Sequence, residues 1–336
     1  MSKTIQNVLV TGGAGCIGLQ VCNELVRRGM TPHLLDLPEQ ISRAEPYIPA
    51  GTKLFYGSVL DNSSLRDAVK DCQGVIHLAA YLGVRRTETN KLRCLEINVN
   101  GTQNVLDCAV QEGARKVVFA SSSEVYGEPF ENPVREETPT QGKTVYAVTK
   151  LTGEELVKAY AQRYPKLGWT VIRYFNTFGP FQVAQFVIPK FIRNVMEGRP
   201  PVVYGDGSQR RSYCYSGDSA WATVEALLNP AAEAETINVG NGQSLVSLTE
   251  LAEAVIRVCG REGEVGVDYQ PDFQRTDRAR EREIFQRFCD TSKAARLLGY
   301  KPKVSLEEGL RQVLAHGTIH PKWATSDTEY TIDDWV

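Results

Sequence analysis

The first half of the chain alternates short apolar runs with amphipathic stretches. Val8-Leu9-Val10 reads as a brief buried strand that ends at glycines, and Gly15 to Arg28 has helical spacing as far as Gly29. His33-Leu34-Leu35-Asp36, Lys53-Leu54-Phe55-Tyr56 and Gly74-Val75-Ile76-His77-Leu78 are a second, third and fourth strand. Leu65 to Lys70 is helical, and Leu92 to Gln111 reads as one longer helix. Lys116-Val117-Val118-Phe119-Ala120 is a fifth strand, Ala147 to Arg163 a helix, and Thr170-Val171-Ile172-Arg173 a sixth strand. Strands that alternate with helices predict an α/β fold with a doubly wound parallel sheet and right-handed crossovers. After about Asn176 the regularity fades. Phe186 to Met196, Pro201 to Tyr204, Leu248 to Cys259 and Leu306 to Leu314 are short elements between Gly- and Pro-rich turns, which predict a smaller α/β cap.

Length changes this picture little, since 336 residues fit about two domains. A net charge of −2 without a long basic run argues against a nucleic-acid partner. The longest nearly apolar stretch, Gly74 to Val84, is too short to span a bilayer. No apolar signal segment precedes the first strand, so a cytoplasmic protein without membrane attachment is expected. Eight cysteines lack any Cys-x-x-Cys pair, and the four histidines offer no metal cluster. Cys16, Cys22 and Cys108 read as small core residues.

Candidate chemistry begins at Thr11-Gly12-Gly13-Ala14-Gly15-Cys16-Ile17-Gly18. Gly12, Gly15 and Gly18 follow the first strand and open a helix, where backbone N–H groups can meet a pyrophosphate. Asp36 ends the second strand, where a carboxylate can accept the adenosine ribose hydroxyls. A 2′-phosphate would meet like charge there, so NAD is favoured over NADP. The second candidate set is Ser122, Ser123 and Glu124, followed by Tyr146 and Lys150. Tyr146 and Lys150 are four apart at a helix start and share a face. Positive charge from Lys150 and an oxidised nicotinamide would favour the phenolate and make Tyr146 a base. Ser122, just past the fifth strand, could orient the same substrate hydroxyl.

At these residues the chain resembles the extended short-chain dehydrogenase/reductases, in their nucleotide-sugar epimerase/dehydratase branch. The resemblance covers roughly residues 5 to 312. Val75-Ile76-His77-Leu78-Ala79-Ala80, Asn98-Val99-Asn100-Gly101-Thr102, Arg173-Tyr174-Phe175-Asn176 and Val203-Tyr204-Gly205-Asp206-Gly207 also carry it. It implies a Rossmann domain over 1–176, to which later segments return, a nucleotide-sugar domain over 177–322, and an unassigned polar tail at 323–336. It implies tightly held NAD at Gly12, Gly15, Cys16, Ile17, Gly18, Asp36, Leu78, Ala79, Ala80, Asn98, Tyr146 and Lys150. A nucleotide diphosphate sugar is the implied substrate, with Asn176, Arg211 and Arg280 at its diphosphate or nucleotide. A homodimer is implied through the helices that carry Asn90 to Gln111 and Ala147 to Tyr164. Cys16 replaces the family's usual aromatic, and Ser58 stands where an adenine-contacting Asp is common.

The resemblance implies a common first step: Tyr146 takes the proton of the sugar C4 hydroxyl while NAD accepts the C4 hydride. Later steps divide the family. A 4,6-dehydratase has an Asp–Glu pair where this chain has Ser123-Glu124, and Ser123 cannot act as a carboxylic acid. A uronate decarboxylase has Ser–Glu there, yet its loop after the fourth strand is not matched. That loop, Ala79 to Arg85, looks like the one of uronate 4-epimerases, where Arg85 would face the sugar. A 4-epimerase is the favoured reading, because it asks for no further acid or base. Decarboxylase, dehydratase and net C4 dehydrogenase remain alternatives, and a non-catalytic Rossmann binding module is a remote one.

Overall fold

The computed structural model describes residues 5–183, 186–271 and 284–316, apart from the side chains of Val84 and Arg85. The six expected strands form: β1 (Asn7–Thr11), β2 (Thr31–Asp36), β3 (Lys53–Tyr56), β4 (Gly74–His77), β5 (Lys116–Ser122) and β6 (Gly168–Tyr174). They lie in one parallel sheet with a seventh strand, Glu235–Val239, beside β6. The order is Glu235–Val239, β6, β5, β4, β1, β2, β3. The winding direction reverses between β1 and β4, and a crevice at such a reversal is where open α/β sheets bind ligands. This is a Rossmann-like sheet.

Alternation along the strands feeds two cores. Val8 and Val10 face a cluster with Leu19, Cys22 and Leu25 of α1 (Cys16–Arg27) and with Ala220, Val224 and Leu227. Leu9 faces the opposite cluster, with Leu65, Val75, Leu106, Val117, Phe119 and Val157. Each such side chain contributes about 1.5–3 kcal/mol by burial.

Two elements of this layer have no counterpart in the expected pattern. The seventh strand arrives only after a long excursion. The helix Ser216–Leu228 covers the α1 face of the sheet, and its small side chains hide its periodicity. A third difference matters more for the site. The expected helix from Leu92 to Gln111 forms but carries a π-helical turn: Lys91–Leu95, the π turn at Glu96–Asn100, then Gly101–Gln111. Such π turns are frequent at functional sites. Here the turn aims Asn98 at the loop that follows β4. Its carboxamide accepts from Tyr81 N (2.7 Å) and donates to Tyr81 O (3.0 Å).

Beyond β6, three short strands, Leu245–Ser247, Arg210–Ser212 and Gln286–Arg287, form a small mixed sheet. The helices Val187–Met196, Leu248–Val258 and Leu306–Ala315 pack a third core with Phe191, Leu251, Val255 and Leu310. A reciprocal cap between Ser247 and Glu250 fixes the start of the second of these helices. No described helix is long and apolar enough to cross a membrane.

Candidate active site

A cleft of about 1420 Å³ runs along the C-terminal edge of the sheet, between it and the smaller elements. That exceeds the roughly 300–1,000 Å³ of an ordinary small-molecule site and leaves room for two ligands side by side. Gly12, Gly15, Cys16, Ile17, Gly18, Asp36, Leu78, Ala79 and Ala80 line one part of it. Ser122, Ser123, Glu124, Tyr146, Lys150, Asn176 and Arg211 also line it.

The glycine turn is shaped for close approach. Gly12 has φ +68°, and a Cβ on it would lie 2.8 Å from the Ala79 nitrogen. A Cβ on Gly18 would lie 2.2 Å from the Gly12 carbonyl oxygen. No side chain caps the N-terminus of α1 and no acidic residue stands in its first turn. Its first N–H groups and its dipole therefore suit an anion. Asp36 folds back on this turn, accepting from Ala14 N (3.0 Å) and Leu37 N (2.8 Å). Burial pushes its carboxyl up to about 6, against the pull of those two bonds. Cys16 is not plain core as expected: it lines the cleft, and burial holds its thiol up at about 12. These residues fit a dinucleotide, whose diphosphate would meet the start of α1 and whose ribose would meet Asp36.

Asn98 is buried behind the cleft wall, where its amide nitrogen also donates to Thr149 Oγ1 (3.0 Å). Its two bonds to Tyr81 hold the loop after β4. The Arg86 guanidinium lies 4.4 Å from the centre of the Tyr81 ring. The Arg85 side chain and Arg280 lie outside the described residues.

The proton-handling group gathers where β5 meets the helix Val145–Arg163. Thr144 caps that helix by accepting from Ala147 N, which sets Tyr146 in its first turn. Lys150 is buried and donates to Ala120 O (2.8 Å). Its ammonium lies 5.7 Å from the Tyr146 ring centre, and burial lowers it to about 8. The Tyr146 phenol is held above its ordinary value, by burial first and then by the Glu124 charge. A hydrogen bond with Ser122 pulls the other way. One Lys150 N–H is engaged by Ala120 O.

Glu124 meets Arg287, whose side chain is 3% exposed, in a close ion pair. Arg287 also donates to Gly127 O (3.2 Å), and its Nε has no hydrogen-bond partner. Nothing periodic in the sequence marks Arg287, and it was not expected at the site. Asn176, at φ +40°, donates to Ser212 O (3.1 Å). Arg211 donates to the carbonyls of Ile284 and Phe285, so it organises the cleft wall as well as lining it.

The comparisons agree with this geometry. The model of the NAD dependent epimerase/dehydratase family matches residues 8–240. The chain belongs to that family. A curated UDP-N-acetyl-alpha-D-glucosaminuronate decarboxylase of Bacillus cytotoxicus is 33% identical over 91% of this chain and 96% of its own. A UDP-glucuronate 4-epimerase of Thermodesulfobacterium geofontis is 31% identical over 91% of this chain and 94% of its own. Among solved structures, an epimerase from Methanothermobacter thermautotrophicus superposes with a TM-score of 0.84, at 30% identity over 95% of this chain and 93% of that one. The Bacillus cereus UDP-glucuronic acid 4-epimerase, solved with UDP-glucuronic acid and NAD, gives 0.80 at 28% identity, over 94% of this chain and 99% of that one. This epimerase/dehydratase is an enzyme, and its cofactor is NAD.

Proposed function

We propose that this enzyme is a nucleotide-sugar 4-epimerase that works through a 4-keto sugar. One observation carries the reading: Ser122, Tyr146 and Lys150 share the cleft, while the neighbouring Glu124 is tied to Arg287. An elimination needs a carboxylic acid ready to protonate the leaving hydroxyl. Ser123 lacks one, and Glu124 is engaged by Arg287. Epimerisation asks for a single proton site. Tyr146 takes the C4 hydroxyl proton and later returns it. Ser122 fixes the direction of that hydroxyl. Lys150, anchored on Ala120, keeps a positive charge against the phenol ring. NAD, when bound, supplies the acceptor and donor of the C4 hydride. The keto sugar exposes its other face before the hydride comes back.

The Asn176 and Arg211 side of the cleft would hold the nucleotide diphosphate, where guanidinium suits phosphate. Exposed Leu92, Leu95, Val148 and Tyr164 lie on or beside the helices that the resemblance assigns to a homodimer, which supports that assembly.

A second reading is favoured by Arg287 itself. A uronate oxidised at C4 is a β-keto acid, which loses carbon dioxide readily. A buried guanidinium paired with Glu124 at Ser123-Glu124 could bind such a carboxylate and time its loss. Mass spectrometry and NMR of products from UDP-, GDP-, dTDP- and CDP-sugars, uronates included, separate the two. Unchanged mass with inverted C4 supports the epimerase. Loss of carbon dioxide supports the decarboxylase, and loss of water or of two hydrogens contradicts both.

A further inference from the structure

Arg173, on β6, and Glu154, one turn beyond Lys150, form a bidentate ion pair under the site. Nε to Oε1 is 2.9 Å and Nη2 to Oε2 is 2.7 Å, with side chains 8% and 2% exposed. The pair is hydrogen-bonded on every side. Ser121 Oγ donates to Glu154 Oε1 (2.5 Å). Arg173 Nη1 donates to Tyr126 Oη (2.8 Å) and Glu136 O (3.2 Å). Tyr126 Oη donates to Asn238 Oδ1 (2.8 Å) on the seventh strand. A buried ion pair is weak evidence for stability, since apolar residues of similar volume often serve as well or better.

What sets this pair apart is its position. Three successive residues at the end of β5 each hold one part. The Ala120 carbonyl holds Lys150, the Ser121 hydroxyl holds Glu154, and the Ser122 hydroxyl is turned to Tyr146. We propose that the Arg173–Glu154 pair is a positioning element that fixes the end of β5 through Ser121, and so places Ser122 and Lys150 against Tyr146. The inference rests on the reading of these three residues as the proton-handling group.

Charge gives a second route to Lys150. The groups facing it are Tyr146 and Glu154 on its own helix, Cys94 on Lys91–Leu95, and His77 on β4. Of these, Cys94 and then Glu154 support the ammonium form, so losing the Glu154 charge makes Lys150 easier to deprotonate.

The test uses full-length Ser121→Ala, Glu154→Gln and Arg173→Lys. Lys150 is titrated by NMR of 13Cε-labelled lysine, its signal assigned by Lys150→Met, and no sugar is needed. In Glu154→Gln the Lys150 titration should move down by about one pH unit. Ser121→Ala keeps the ion pair and should melt near wild type. Its kcat should fall about tenfold at unchanged KM, as expected when only orientation is lost. Arg173→Lys, with one donor point for two, should fall between Ser121→Ala and wild type. A Lys150 titration in Glu154→Gln that overlays wild type overturns the proposal, and so does wild-type kcat in Ser121→Ala. Wild-type inertness toward every nucleotide sugar would instead sink the epimerase reading and leave the titration result standing.

Discussion

Arg287 joins Glu124 across the cleft wall, so two residues 163 positions apart in the chain set the charge beside Tyr146. Glu124 raises the phenol, and its ion pair with Arg287 ties up that carboxylate. Arg287→Met should remove this ion pair and move the ascending limb of the pH–rate profile to higher pH. Glu124→Gln should move it lower. Each shift should be on the order of one unit for a charge within a few ångströms. Rate profiles of the two variants check this, and equal shifts in both would refute it.

The glycine turn leaves no room for a methyl group. Gly18→Ala would press a Cβ against the Gly12 carbonyl and the Gly13 backbone. The purified variant should carry less NAD per chain than wild type, with affinity down about tenfold or more, roughly 1.4 kcal/mol of binding. NAD released by denaturation and quantified per chain measures this.

Acid sensitivity should have an identifiable source in His77. Its ring lies between Thr11 Oγ1 (2.6 Å) and Thr102 Oγ1 (3.0 Å), and burial lowers its pKa from 6.5 to about 3. The folded protein thus binds fewer protons here than the unfolded chain between those values. Stability from this group is present above about 6.5 and is lost as pH falls toward 3. His77→Gln should flatten the dependence of urea midpoint on pH across that window.

Phe119 forms a floor under the site. Its ring centre is 5.1 Å from Lys150 Nζ, and a Cβ on Gly153 would lie 2.3 Å from its Cζ. Gly153→Ala gains about 1 kcal/mol of helix propensity but overpacks the core, at a cost of about 1–3 kcal/mol. Net destabilisation and a lower kcat are expected. Gly153→Ala with Phe119→Leu should recover part of the melting temperature.

The sheet was legible because most residues of β1, β2, β4, β5 and β6 are buried on both faces, and such strands announce themselves as apolar runs. Glu235–Val239 did not, since Glu235, Thr236 and Asn238 interrupt it and its partner β6 lies far back in sequence. The proximity of Tyr146 and Lys150 was legible because both are local to one helix. Arg287 was not, because its meaning depends on a carboxylate supplied by another part of the fold. The π turn that carries Asn98 leaves no trace in the apolar spacing. The proximity of Tyr146 to Lys150 could be read from spacing, whereas the burial of the phenol and the Glu124 charge beside it could not.

The central claim is that Tyr146 deprotonates a sugar hydroxyl whose carbon gives up its hydrogen as hydride. A nucleotide sugar deuterated at C4, given to wild type and to Tyr146→Phe, tests it most directly. Wild type should return a product altered at C4 or beyond with the deuterium still on C4, while Tyr146→Phe should keep its NAD and lose at least about a hundredfold in rate. Deuterium washed out into water, or near-normal turnover in Tyr146→Phe, would contradict the account.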